Sequence, residues 1–164
     1  MPEPISPIRP TDDEARALAR SLLADARHAA LGTLDPATGA PFVSRIALGQ
    51  TPEGLPLTLI STLAQHTRAL VADPRASLLV GEPGPKGDPL THPRLTVQAR
   101  VRFVGRQDAD HAILRTHYLA THPKATLYVD FVDFAFVVFA VEAASLNGGF
   151  GKAYSLTAAD LSPR

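Results

Sequence analysis

The clearest hydrophobic period in the chain is LTVQARVRFV, at residues 95–104. Leu95, Val97, Ala99, Val101 and Phe103 fall on one side of a strand, and Thr96, Gln98, Arg100 and Arg102 on the other. One face is core; the other is wet or lines a polar cleft. Residues 134–146, FAFVVFAVEAASL, read as a long strand that is apolar on both faces, so both faces should be covered. Shorter strands are predicted over His28 to Leu34, Pro41 to Leu48, Leu55 to Ile60, Ala76 to Val80 and Lys152 to Leu156. Turn signals at 35–39, 50–54 and 147–151 separate them. The connections among the first three are too short for a parallel crossover, so they predict a meander in which the second strand pairs with the third.

Helical spacing enters in two places outside the central stretch. Ala15, Leu18, Ala19, Leu22 and Leu23 form an apolar stripe through about Arg27. A Thr11–Glu14 capping box opens that helix, with Asp12 and Asp13 near the positive end of its dipole. A second helix is predicted from Asp108, as its cap, to Thr121. His122-Pro123 stops it, and a short helical turn covers 124–128. Residues 81–93 read as a long surface loop. Residues 1–10, with four prolines, read as an extended arm.

Residues 57–75, LTLISTLAQHTRALVADPR, carry the most local information. A strand over Leu57 to Ile60 breaks at Ser61 and Thr62, both good N-cap residues. A helix follows with Leu63, Thr67, Leu70 and Val71 on one face, and Asp73-Pro74 closes it. A strand that feeds straight into a hydroxyl-capped helix aims free N–H groups at one spot, and Ser61, Thr62, His66 and Thr67 surround that spot. Two readings are open here: a phosphate seat, and an ordinary capped helix. Arg45 lies between Val43 and Ala47 on one strand face. It is either a charge brought to this spot by the meander pairing or a surface arginine at a strand edge.

Composition narrows the classes. A chain of 164 residues with 45% apolar and 20% charged positions suits one globular domain, here residues 11–164 after the arm. Net charge is zero, which speaks against a large nucleic-acid footprint. With no cysteine there is no disulfide, thiolate nucleophile or Cys-ligated metal. The six histidines show no ligand spacing, so no metal site is expected. The glycines at 148–151 lack a strand-then-helix context, and neither Ser44 nor Ser61 has a glycine elbow. No apolar run reaches the ~20 residues of a membrane span, and no secretory leader is visible, so a cytoplasmic location with no membrane partner is expected. Six or seven strands in antiparallel order, with helices at the edges, predict an α+β fold built on a β-barrel.

Four segments, PFVSRIAL, LISTLAQHTRALVADPR, DPLTHPRLTVQARVRFV and LNGGFGKAYSLTAADL, together resemble the FMN-binding split-barrel proteins related to pyridoxamine 5′-phosphate oxidase. Within them the resemblance is to the haem-utilisation branch, over about residues 11–161. It implies a six-stranded antiparallel split β-barrel that pairs as a homodimer, with FMN in a cleft at the interface. It implies that Arg45, with Ser44 beside it, contacts the FMN phosphate. His66 and Thr67 stand where the oxidase has an Arg-Lys pair on that phosphate, Ser61 and Thr62 match the end of the flavin-lining strand, and Gln98 lies near the cleft. The oxidase's substrate-binding arginine and histidine have no match, so vitamin B6 oxidation is not expected. No histidine follows His122, where haem degradation in this family uses one. The expected function is an FMN-dependent oxidoreductase acting on a small substrate, with no catalytic residue assigned. The alternatives are a haem-binding or haem-degrading protein, and a non-catalytic FMN-binding dimer.

Overall fold

The structure, a computed structural model, describes residues 6–163. In chain order the elements are β1 (Ile8–Arg9), α1 (Asp13–Asp25), β2 (His28–Leu34), β3 (Pro41–Ala47), β4 (Gly49–Gln50), β5 (Pro56–Ser61) and α2 (Gln65–Ala72). They continue with β6 (Arg75–Val80), β7 (Arg94–Val104), α3 (His111–Thr121), β8 (Phe134–Asn147), β9 (Ala153–Thr157) and α4 (Ala158–Leu161). Of the expected N-terminal arm, residues 1–5 lie outside the described residues, and Ile8–Arg9 adds to the sheet as a short strand parallel to β9.

Among the described residues the sheet has nine strands, not six, and its path has two ends, so the expected barrel is not closed. The order is β1-β9-β8-β7-β6-β2-β3, with β5 paired to β8 and β4 off that path. Of the meander expected over residues 28–60, the first hairpin forms, but the pairing of its second long strand with the third does not. β3 pairs with β2 along its length, whereas β5 pairs with β4 and β8. The reason is the length of β8. Its fourteen residues let one edge serve two partners, β5 against Phe134–Val138 and β9 against Ala143–Asn147, while β7 runs along its other edge. The ladder between β7 and β8 slips once. Gln98 pairs with Ala143 but Ala99 pairs with Val141, which leaves Glu142 as the extra residue of a β-bulge.

One face of the sheet carries the main core. Leu31, Leu78, Val97 and Leu146 are buried there, and Ala15, Ala19 and Leu23 of α1 pack on them. The first half of β8 is covered on both sides, as its apolar pattern demands. Val137 and Phe139 join the main core, and Phe136 and Val138 join a second cluster with Leu57, Leu114, Tyr118 and Val129 under α3. Each such fully buried side chain contributes about 1.5–3 kcal/mol of transfer free energy. The cover that the second face of this strand requires is thus supplied by α3 within the chain.

The helix ends differ from the sequence expectation. Asp12, not Thr11, caps α1, its carboxylate accepting the Ala15 N–H at 2.8 Å, while Thr11 Oγ1 donates to Ser155 O. α3 begins after Asp110, and Asp108 instead accepts the Gly105 N–H. The stretch after β9 opens a turn of helix with a complete capping box between Thr157 and Asp160. Arg16 of α1 binds Asp160 at 2.7 Å and so ties the two helices together.

Candidate functional site

The start of α2 is the first candidate. Its cap residue is Ala64, which offers no side-chain hydrogen bond, so Ser61 and Thr62 are not the N-cap. They are engaged elsewhere. Ser61 Oγ donates to the Asp133 carboxylate at 3.0 Å and accepts the Leu63 N–H, and the Thr62 N–H donates to Asp133 O. Thr67 is buried and gives its hydroxyl proton to Ser61 O at 2.6 Å. Leu63 and Val71 point to solvent, at 76% and 71% exposed, so the buried stripe of α2 is Thr67, Ala69 and Leu70.

His66 lies half-buried with Nδ1 3.0 Å from Ser44 Oγ. Burial holds its imidazole below the ordinary range, which favours the neutral ring. This corner therefore contains a desolvated neutral histidine, one carboxylate, and the Ser61 and Thr67 hydroxyls, whose protons are already committed.

Arg45 does not point into that corner. Successive strand residues face opposite sides of a sheet. Ser44 is registered with Leu31, Leu78 and Val97, which are core. Arg45 is registered with Ala30, Leu79 and Thr96, on the other face. It is exposed, so it needs no buried partner. Of the seven residues expected at a cofactor, the structure brings Ser44, Ser61, Thr62, His66 and Thr67 together around the β5–α2 corner. It leaves Arg45 and Gln98 on the outer face of the sheet.

That outer face holds the second candidate. One cross-strand row runs Val43, Gly32, Ser77, Gln98. Gly32 and Ser77 present almost no side chain, and a groove of about 500 Å³ lies over them. Leu34 and Pro41 border one side, and Gln98, Arg100 and Glu142 the other. Arg75 and Arg100 face each other across the β6–β7 ladder. Asp73 grips Arg75 through Nε and the Nη2 amino group, at 3.0 and 2.7 Å, and its carboxyl is pushed down to about 2, mainly by that bond. Arg100 Nε stands 3.2 Å from Glu142. Sequence reading flagged the polar face of β7 but missed Arg75 and Glu142. The available signal was the lone glutamate in an otherwise apolar strand; the bulge that aims it has no local signature.

Comparison with known proteins agrees with this architecture. Residues 10–161 match the CREG β-barrel family. The chain is 36% identical over 99 residues to the chloroplastic heme oxygenase HOZ of Arabidopsis thaliana, covering 60% of this chain and 29% of that protein. It is similar to a heme binding protein from Mycobacterium smegmatis, with a TM-score of 0.82 and 30% identity over 94% of this chain and 61% of the other. The chain thus spans less than two thirds of both relatives. It also shares its fold with a Clostridium acetobutylicum protein of the pyridoxinephosphate oxidase family, at a TM-score of 0.67 and 14% identity, covering 92% of this chain and 99% of that one. With a nine-stranded split-barrel-like sheet, helices packed on both of its sides and a family match from residue 10 to residue 161, the chain belongs to the CREG β-barrel family.

Proposed function

We propose that this is a haem-binding protein that holds its ligand on the outer face of the sheet. The observation that carries this reading is the groove over Gly32 and Ser77. Its floor of small residues lets a flat ring lie against the sheet, and Arg75 and Arg100 stand at its rim for anionic arms. Its volume falls in the range of small-molecule sites, about 300–1,000 Å³. Two relatives, a heme oxygenase and a heme binding protein, support the same ligand class. Among the described residues no histidine lines the groove, so the chain grips the ring and its carboxylates and does not offer an imidazole to the iron. Haem, when bound, supplies a redox-active iron; the residues here bind and orient it.

In this reading a second copy of the chain covers the outer face. Val43 and Leu79 are 68% and 44% exposed there, and a ring lying on an open sheet needs a lid to leave water. FMN on the same face, in a flavin oxidoreductase, is the second reading, favoured by the fold shared with the pyridoxinephosphate oxidase family. The β5–α2 corner supports it poorly. A phosphate there would meet the Asp133 carboxylate and a neutral His66 in place of cations.

The test is the visible spectrum and size of the protein titrated with haemin and, separately, with FMN. The expected result is a stoichiometric Soret change with haemin, without the sharp low-spin bands of histidine ligation, on a dimer by light scattering. Saturable FMN binding with no response to haemin would overturn the haem reading, and a monomer at micromolar concentration would overturn the lid.

A further inference from the structure

Two arginines directly opposed on neighbouring strands are an unfavourable arrangement. Their Cβ atoms sit about 4.5–5.5 Å apart, and like charges so placed repel. Arg75 and Arg100 occupy such a pair of positions, and both line the groove. Asp73 binds Arg75 and its charge also acts on Arg100, which is paired with Glu142, and each arginine uses only part of its guanidinium in its ion pair. Arg75 binds Asp73 through Nε and Nη2, which leaves Nη1 free. Arg100 meets Glu142 through Nε alone, which leaves the whole outer fork free.

The two counter-ions are held differently. Asp73 is fixed by its own turn, where it also accepts the Arg75 backbone N–H at 3.1 Å. Glu142 has no such anchor. It is the extra residue of the β7–β8 bulge, its side chain is 55% exposed, and among the described residues its ion pair is with Arg100. Bulges re-aim single side chains and are frequent beside binding sites. Here the bulge delivers a half-exposed carboxylate to the rim of the groove.

We infer that Arg75 and Arg100 form a carboxylate clamp at the rim of the groove, and that Glu142 is an exchangeable carboxylate which a ligand carboxylate replaces on Arg100. The inference rests on the haem reading and adds to it which residues take the propionates and which residue competes with them. It assigns the groove a preference for a flat ring bearing two carboxylates over the same ring with its carboxylates blocked. Arg45, two rows from the arginine pair on the same face, is outside the clamp.

Haemin and haemin dimethyl ester, titrated into wild type, Arg100→Gln and Glu142→Gln and followed by the Soret band, test this. Arg100→Gln should weaken haemin about tenfold, the scale of one hydrogen bond between charged groups. Glu142→Gln should tighten haemin several-fold by removing the competitor, and neither change should move the ester. Thermal melts monitor the fold; if Arg100→Gln unfolds the protein, Glu142→Gln decides alone. Wild type that binds haemin with both variants unchanged, or variants that shift the ester as much as haemin, would overturn the clamp and leave the haem reading standing. Wild type that binds neither porphyrin overturns both.

Discussion

Tyr118 offers a prediction whose sign runs against the usual expectation for a core residue. Its side chain is fully buried in the second cluster, stacked on His122 at 4.4 Å and edge-on to Phe136 at 5.6 Å. Its hydroxyl has no hydrogen-bond partner among the described residues. Burial pushes its pKa far above the ordinary phenol range, so the group stays neutral and unpaired. A buried polar group left unsatisfied costs about 1–3 kcal/mol. Phenylalanine keeps the ring, the stack and the edge contact and removes only the hydroxyl. Tyr118→Phe should therefore raise stability by about 1 kcal/mol, the low end of that range because the emptied volume loses some contact. In a domain of this size that is a Tm increase of about 2–4 °C. Urea denaturation followed by circular dichroism is the assay, and the midpoint should rise with an unchanged m-value. A midpoint lowered by the equivalent of about 1 kcal/mol would refute the reasoning, because it would mean that an enclosed water satisfies the hydroxyl. Tyr118→Ala provides scale: loss of the whole ring should cost about 3–5 kcal/mol.

Two further outcomes follow from local geometry. Because burial lowers the His66 pKa, the unfolded chain takes up the proton more readily than the folded one, so stability is lost as pH falls below about 6.5. Urea midpoints from neutral to mildly acidic pH should show a gentler slope for His66→Gln than for wild type; identical slopes would count against it. Gly81 has φ +99°, and a Cβ there would lie 2.5 Å from Pro93 O and 2.8 Å from Arg94 Cα. Gly81→Ala should cost about 1–3 kcal/mol, and an unchanged thermal midpoint would show that the loop yields without strain.

The strands and helices were legible wherever one element sees one environment on each side. The alternation of β7 was readable because, from Leu95 to Phe103, its odd positions meet core and its even positions meet solvent or the groove. The first half of β8 was readable as doubly covered because all of its side chains are apolar. Helix caps were less legible. Thr11 and Asp12 are both good caps one residue apart, and what separates them is that the Thr11 hydroxyl is drawn to Ser155, which lies 144 positions away. At α2 the hydroxyls that look like caps are drawn to Asp133 and leave Ala64 in the cap position.

The seven expected site residues divide for the same reason. The sequence by itself determined the strand that carries Ser44 and Arg45, and therefore that the two side chains leave on opposite faces. Which face is core was decided only when β2 inserted between β3 and β6, placing Ser44 half-buried beside His66 and turning Arg45 outward. The groove is likewise tertiary. Gly32, Ser77 and Gln98 are 45 and 21 positions apart in sequence and become one row only through the ladders β2–β6 and β6–β7. Glu142 reaches Arg100 through a one-residue slip between two strands, and a slip is set by how the partner strands pack along their whole length. Local pattern reports which side of an element is apolar. Pairing between distant strands, governed by the burial of all of them at once, decides which side chains meet.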